Sequence, residues 1–143
     1  MFKLAGNVKV NRAIDYAQIT ADKTGDVIID TQGYDDVYFL IHVHAAATAD
    51  GDHYFTAKVH EGDNSALSDA ALVTDGTTYP TRYFGESPSD RAIDLVAQAD
   101  SFVVFGVRLH KRYIRLSLIE TGTSDITISA VAVLGNPKTA PTV

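Results

Sequence analysis

Two histidines separated by one residue, His42 and His44, are the first side chains in this sequence that invite a chemical reading. On an extended strand both project from one face, and paired imidazoles are a start towards a metal site. The set is not completed nearby, because Ala45-Ala46-Ala47-Thr48-Ala49 follows without a carboxylate. His53, His60 and His110 stand alone. Asp50, Asp52, Asp63 and Asn64 offer oxygen ligands, but not at the every-second-residue spacing of a twelve-residue calcium loop closed by glutamate. Asp-Gly is also common chemistry for a tight β turn.

Other catalytic patterns are missing. There is no Gly-x-Ser-x-Gly elbow, no phosphate-binding loop and no dinucleotide fingerprint. The only glutamates are Glu61, Glu86 and Glu120, all beside turn residues, and no tryptophan supplies a sugar-stacking platform. With no cysteine there is neither a thiolate nucleophile nor a disulfide. These residues predict a protein that is not an enzyme and needs no cofactor or metal.

Charge narrows the partners. The net charge of −6 argues against a general nucleic-acid binder, which needs clustered Lys and Arg. The one dense basic stretch is Arg108, His110, Lys111, Arg112 and Arg115. It reads either as a contact with an acidic neighbour, including a second copy of this chain, or as a charged hairpin tip that keeps a sheet edge soluble. No apolar run reaches the length that spans a bilayer, so no membrane is expected. The first residues lack the apolar stretch of a signal peptide, which gives cytoplasmic synthesis as the expectation.

The elements that position these residues have a period of two. Val37, Phe39, Ile41 and Val43 alternate with Tyr38, Leu40, His42 and His44. Phe55, Ala57 and Val59 alternate with Tyr54, Thr56, Lys58 and His60, and Ile114, Leu116 and Leu118 with Tyr113, Arg115 and Ser117. That is the pattern of half-buried strands. Val103–Val107 and Ile126–Leu134 are apolar on both parities, which predicts strands covered on both faces. Turn clusters at Lys23–Gly25, Gln32-Gly33, Glu61–Asn64, Gly122–Ser124 and Gly135–Pro137 cut the chain at short intervals. The expected strands are 13–20, 26–31, 36–46, 53–60, 69–73, 91–97, 101–109, 111–119 and 125–134, and a helical turn fits 65–71.

The predicted fold is therefore an all-β antiparallel β-sandwich, jelly-roll-like, of eight to nine strands. Residues 1–136 form one domain and 137–143 an extended tail. Phe39, Ile41, Phe55, Val59, Val104, Ile114, Leu116 and Ile128 are the predicted core. Residues 74–90 read as a long exposed loop.

The stretch FGVRLHKRYIRLSLIETGTSDITISAVAVLGNPKTAP resembles the C-terminal part of small structural proteins of tailed phages and prophages. The matching residues are Lys111, Arg112, Tyr113, Ile114, Arg115 and Leu116, then Ala130–Leu134, Gly135, Pro137 and Pro141. VHEGDNSALSDAALV is similar to the same family's strand, polar turn and short apolar segment. The turn at 60–70 departs from the family in lacking tryptophan, and Leu109-His110 stand where glycine or tyrosine is usual.

The resemblance implies a capsid decoration, or cement, protein on the virion surface that binds the major capsid protein, commonly as a trimer. On that reading Tyr38, Leu40, His42 and His44, too apolar for a solvated strand face, are the candidate oligomer interface. Tyr79, Tyr83 and Phe84 in the loop, with Arg112 and Arg115, are the candidate capsid contacts, since aromatics and Arg are enriched in interface cores. The alternative is a carbohydrate-binding or adhesion module of a tail fibre, stacking sugars on Tyr54, Tyr79, Tyr83 and Tyr113.

Overall fold

The computed structural model describes residues 7–46, 52–74, 82–85, 92–94 and 99–138. These form eleven strands: β1 (Lys9–Ile19), β2 (Lys23–Thr24), β3 (Ile29–Asp30), β4 (Tyr34–Ala46), β5 (Tyr54–Gly62), β6 (Ala71–Leu72), β7 (Tyr83–Gly85), β8 (Ala92–Asp94), β9 (Ser101–Arg108), β10 (Tyr113–Thr121) and β11 (Ile126–Pro137). No helix occurs among the described residues.

All pairings are antiparallel. One sheet runs β1-β11-β4-β9-β7. The other runs β2-β10-β5-β6, with β3 also on β10 and β8 also on β5. The fold is the all-β sandwich that the alternation predicts.

Its core is made by one parity of each long strand. Val37, Phe39, Ile41 and Val43 from β4 meet Phe55, Ala57 and Val59 from β5 and Ile114, Leu116 and Leu118 from β10 within one buried cluster. Phe39 and Phe105 lie with ring centroids 5.5 Å apart. Each such side chain contributes roughly 1.5–3 kcal/mol when fully buried, and the paired hydrophobic faces fix the register of both sheets.

Several expectations change. Val104 is not core: it is 38% exposed, while Val103, Phe105 and Val107 are buried. Val104 sits opposite Leu40, whose neighbours Phe39 and Ile41 own the inner face. Of the expected strand 26–31 only the two-residue β3 forms, and β2 lies before it, just ahead of Gly25. There the chain presses against β10, Gly25 donating its N–H to the Leu116 carbonyl at 2.8 Å. Residues 65–71 form turns, not a helical turn. Asn64 accepts the Ala66 N–H, Asp69 accepts those of Asp63 and Asn64, and Leu67 has φ 55°. Such side chain-to-backbone bonds compete with helix.

Part of the expected loop 74–90 is strand, since β7 pairs with β9 and Tyr83 is only 5% exposed. The Tyr83 hydroxyl donates to the Val73 carbonyl at 2.9 Å, which lets a phenol sit in the core. Pro137 also belongs to the sheet, opposite Tyr34 in β4. The rest of the expected tail from residue 139 on lies outside the described residues, as do residues 47–51 with Asp50.

Candidate interaction surface

The two sheets turn different outer faces to solvent. On the six-stranded sheet the outer side of the central pair is mostly polar, with Thr56, Lys58 and His60 from β5 and Tyr113 and Arg115 from β10 part-exposed, Ser117 buried and Ile119 exposed. Burial first, and the nearby Arg115 second, hold the His60 imidazole below its ordinary range. Tyr54 lies opposite Thr121 and Tyr113 opposite Gly62. The two tyrosines predicted to stack sugars there thus stand at opposite ends of the strand pair, about 27 Å apart at ~3.4 Å per residue. They form no common platform.

The outer face of the five-stranded sheet is apolar. Reading across it, Val10 of β1 pairs with Val133 of β11, which pairs with Tyr38 of β4. The next row is Arg12, Val131, Leu40 and Val104, and the next joins Ser129, His42 and Phe102. Val10 is 61% exposed, Phe102 60% and Tyr16 68%. Arg12 is the one charged residue within these rows, and its guanidinium is paired with Asp15 at 2.8 Å. Asp36 and Arg108, opposite each other, close the face at one end.

This explains the double apolar parity of Val103–Val107 and Ile126–Leu134. One parity is covered by the opposite sheet, and within this chain nothing among the described residues covers the other.

All four predicted interface residues, Tyr38, Leu40, His42 and His44, lie on that face. His42 and His44 have ring centroids 3.8 Å apart. Phe102 stacks on His42 at 4.5 Å with 15° between planes, and Tyr16 meets His44 edge-on at 4.8 Å. His44 Nε2 lies 2.9 Å from Ser129 Oγ. Sequence reasoning found the β4 residues but missed Tyr16, Phe102, Val104 and Val131. Only strand order brings β9 and β11 beside β4, and β1 beside β11.

The predicted capsid contacts do not assemble into one site. Tyr83 is buried, so its assignment to a partner contact is withdrawn. Tyr79 lies outside the described residues, and Phe84 is described only by its backbone in β7. Arg112 lies at the tip between β9 and β10 and reaches the Asp30 carboxylate through Nε at 3.0 Å and Nη2 at 2.9 Å. That bond holds the Asp30 carboxyl below, and the Arg112 guanidinium above, their usual ranges. Arg115 stands opposite His60 on the other sheet.

Arg112 also lines a cavity of about 360 Å³ with Thr31, Tyr34, Asp63, His110 and Lys111. Its cations are already engaged, Lys111 with Asp63 at 2.7 Å and Arg112 with Asp30. The basic cluster thus ties the hairpin tip to neighbouring turns. Among the described residues, no group of three or more His, Asp or Glu side chains is placed to hold a metal ion. No protein-family model matches the chain, and no curated protein matches it.

Proposed function

We propose that the chain is a structural protein of a phage virion, a capsid decoration protein that binds the major capsid protein lattice as a homo-oligomer, with a trimer as the expected state. It acts on the capsid surface after synthesis in the host cytoplasm, and its work is binding. The observation that carries the binding role is the apolar outer face of the five-stranded sheet, uncovered among the described residues, with Val10, Tyr16, Tyr38, Phe102, Val104 and Val131 all more than a third exposed. Apolar faces larger than a few hundred Å² usually mark contact surfaces. The capsid as partner rests on the sequence resemblance around Lys111–Pro137.

The strand order supports a jelly-roll reading. Taking β2 with β3 as one broken strand, successive strands alternate between the sheets except from β5 to β6, and the first lies beside the last. Symmetric assembly would place several copies of each weak capsid contact on the lattice and raise avidity.

The test is mass spectrometry of virions purified from a lysogen that carries the gene, with cosedimentation of the recombinant protein on emptied capsids. Stoichiometric recovery in virions and saturable capsid binding are expected. Absence from virions would overturn the reading, and glycan binding without capsid binding would point to the adhesion module.

A further inference from the structure

Four segments meet around the cavity at the hairpin tip: residues 31–34 leading into β4, residues 109–112 between β9 and β10, Asp63 after β5 and Lys138 after β11. Its wall holds three cations, Lys111, Arg112 and Lys138, against one carboxylate, Asp63. We propose that this cavity binds a carboxylate, and that the carboxylate is an Asp or Glu side chain of a protein partner. The carboxylate chemistry comes from the cavity, whereas a protein as its source rests on the binding role proposed above.

The ion pairs at this tip leave donors unspent. Arg112 gives Asp30 one edge of its guanidinium, Nε at 3.0 Å and Nη2 at 2.9 Å. Asp30 is not part of the wall. The other edge, Nη1 with the second Nη2 hydrogen, offers two parallel N–H groups, the fork that matches a carboxylate. Among the described residues no bond uses Nη1. Lys111 spends one N–H on Asp63 at 2.7 Å and keeps two. Lys138 Nζ stands 3.6 Å from Asp35, beyond hydrogen-bond reach.

Free acceptors are scarcer. The Thr31 carbonyl takes the Tyr34 N–H, and the Gly33 carbonyl takes the Lys138 N–H. The Arg112 carbonyl takes both the N–H and the hydroxyl of Thr31. Asp63 is held by Lys111. A wall rich in free donors and poor in free acceptors suits a ligand that only accepts. An ionised carboxylate is such a ligand, whereas a sugar hydroxyl donates as well as accepts.

Charge selects a carboxylate over a phosphate. Asp30 and Asp35, outside the wall, bring the local balance to three cations against three carboxylates. Each pair is roughly half exposed, so each is worth little and can open to share its cation. One added negative charge fits that balance. A phosphate ester, nearly doubly charged, would meet Asp63 with no further cation at hand. Arg112 is also held in advance, its guanidinium over the Tyr113 ring at 5.2 Å from the centroid. A side chain already fixed loses little freedom when a ligand arrives. Tyr34 and Leu109, both packed against the core, add apolar surface on which the methylene stem of a glutamate can lie.

NMR titration of the 15N-labelled chain with N-acetylglutamate N-methylamide tests the site. The glutamine counterpart, glucose and inorganic phosphate serve as comparisons. Saturable shifts confined to the amides of residues 31–34 and 109–112 are expected with the glutamate compound. The glutamine counterpart is expected to bind about tenfold more weakly, and glucose not to saturate. Arg112→Gln and Lys138→Gln change exposed side chains outside the core, and each is expected to weaken glutamate binding about tenfold. Arg112→Lys, which keeps the charge and loses the fork, is expected to weaken it by a similar factor. In cosedimentation with emptied capsids, Arg112→Gln/Lys138→Gln is expected to bind about 100-fold more weakly than wild type.

Equal binding of the glutamine counterpart, or shifts spread over the whole surface, overturns the carboxylate site. Arg112→Lys binding as the wild type does overturns the bidentate contact. Phosphate bound more tightly than the glutamate compound overturns the choice of ligand. Unchanged capsid binding by the double variant overturns the protein source and leaves the capsid reading standing. A wild type that binds the glutamate compound and ignores capsids removes the capsid reading, and with it the protein source, while the carboxylate site stands.

Discussion

Arg82 and Glu61 join the two sheets through a nearly buried ion pair, and removing one partner should be among the most damaging single changes in the chain. Glu61 is on β5 of the six-stranded sheet, and Arg82 immediately precedes β7 of the other. Arg82 Nη1 and Nη2 reach the two Glu61 carboxylate oxygens at 2.5 and 2.6 Å. Nη2 also donates to the Arg108 carbonyl at 2.9 Å. The side chains are 14% and 10% exposed, so solvent screens the pair little.

In Arg82→Met the Glu61 carboxylate keeps its burial and loses both donors. Uncompensated buried charges cost about 3–5 kcal/mol. Because Glu61 retains a little access to water, the lower end, about 3 kcal/mol, is expected. For a domain of this size that is a fall of roughly 10 °C in Tm, at about 3 °C per kcal/mol.

Replacing both partners, Glu61→Leu with Arg82→Met, removes the charge with its counter-charge. Such a swap is often neutral, so recovery to within about 1 kcal/mol of wild type is expected, with a coupling of at least ~2 kcal/mol in the double-mutant cycle. Urea denaturation of the four proteins at pH 7 measures this. Single losses under about 1 kcal/mol that simply add in the double variant would refute the reasoning, because they are the behaviour of a solvated surface bridge.

Four further outcomes follow from the geometry. In Gly25→Ala the new Cβ would overlap the Leu116 carbonyl oxygen; a loss of about 1–3 kcal/mol is expected in chemical denaturation, and none would show that β2 can move away from β10. Tyr83→Phe removes the donor to Val73 and should cost about 1 kcal/mol, read from the shift in urea midpoint. Leu116→Ala should cost roughly 2–5 kcal/mol, whereas Val104→Ala on the outer face should cost under ~1 kcal/mol by the same assay. His60 is held neutral in the folded chain, its pKa lowered chiefly by burial. Its contribution to stability is therefore present above the ordinary imidazole value and lost as pH falls towards the folded one, so the pH 7.5 to 5.5 drop in urea midpoint should shrink in His60→Gln.

The sheets were legible in the sequence because Val37–His44, Tyr54–His60 and Tyr113–Leu118 alternate strictly, and a strict alternation admits one inner face. Val103–Val107 does not alternate, so the sequence offers no sign of its facing, and the expectation of Val104 in the core chose the wrong parity: Val104 stands opposite Leu40 on the outer face. β7 is three residues long, too short to display a period, and lies among turn formers. Arg82 and Glu61 are twenty-one residues apart, and nothing local announces their meeting. The candidate interface was half legible for a related reason. Tyr38, Leu40, His42 and His44 follow from one strand's period, but their extension to Tyr16, Phe102 and Val131 depends on strand order, which composition and spacing do not encode.

Strand order also bears on how copies of this chain can meet. An open edge is the simplest route for a β protein to associate, and natural folds block it with bulges and short strands. Here β1, the one long edge strand, breaks register with β11 at two places. Near its middle it is closed off by Asp26, whose N–H binds the Ala13 carbonyl at 3.1 Å and whose carboxylate takes the Asp15 N–H at 2.9 Å. The opposite edge is the three-residue β7. On the other sheet, β2 and β3 share the outer side of β10, while β6 and β8 share that of β5, each two or three residues long. Edge pairing is thus discouraged on both sheets, while the outer face of the five-stranded one is left apolar. Face-to-face contact uses no backbone hydrogen bonds, so its strength and specificity rest on side chains such as Phe102 and Tyr16. Such an interface would be sensitive to one inserted charge.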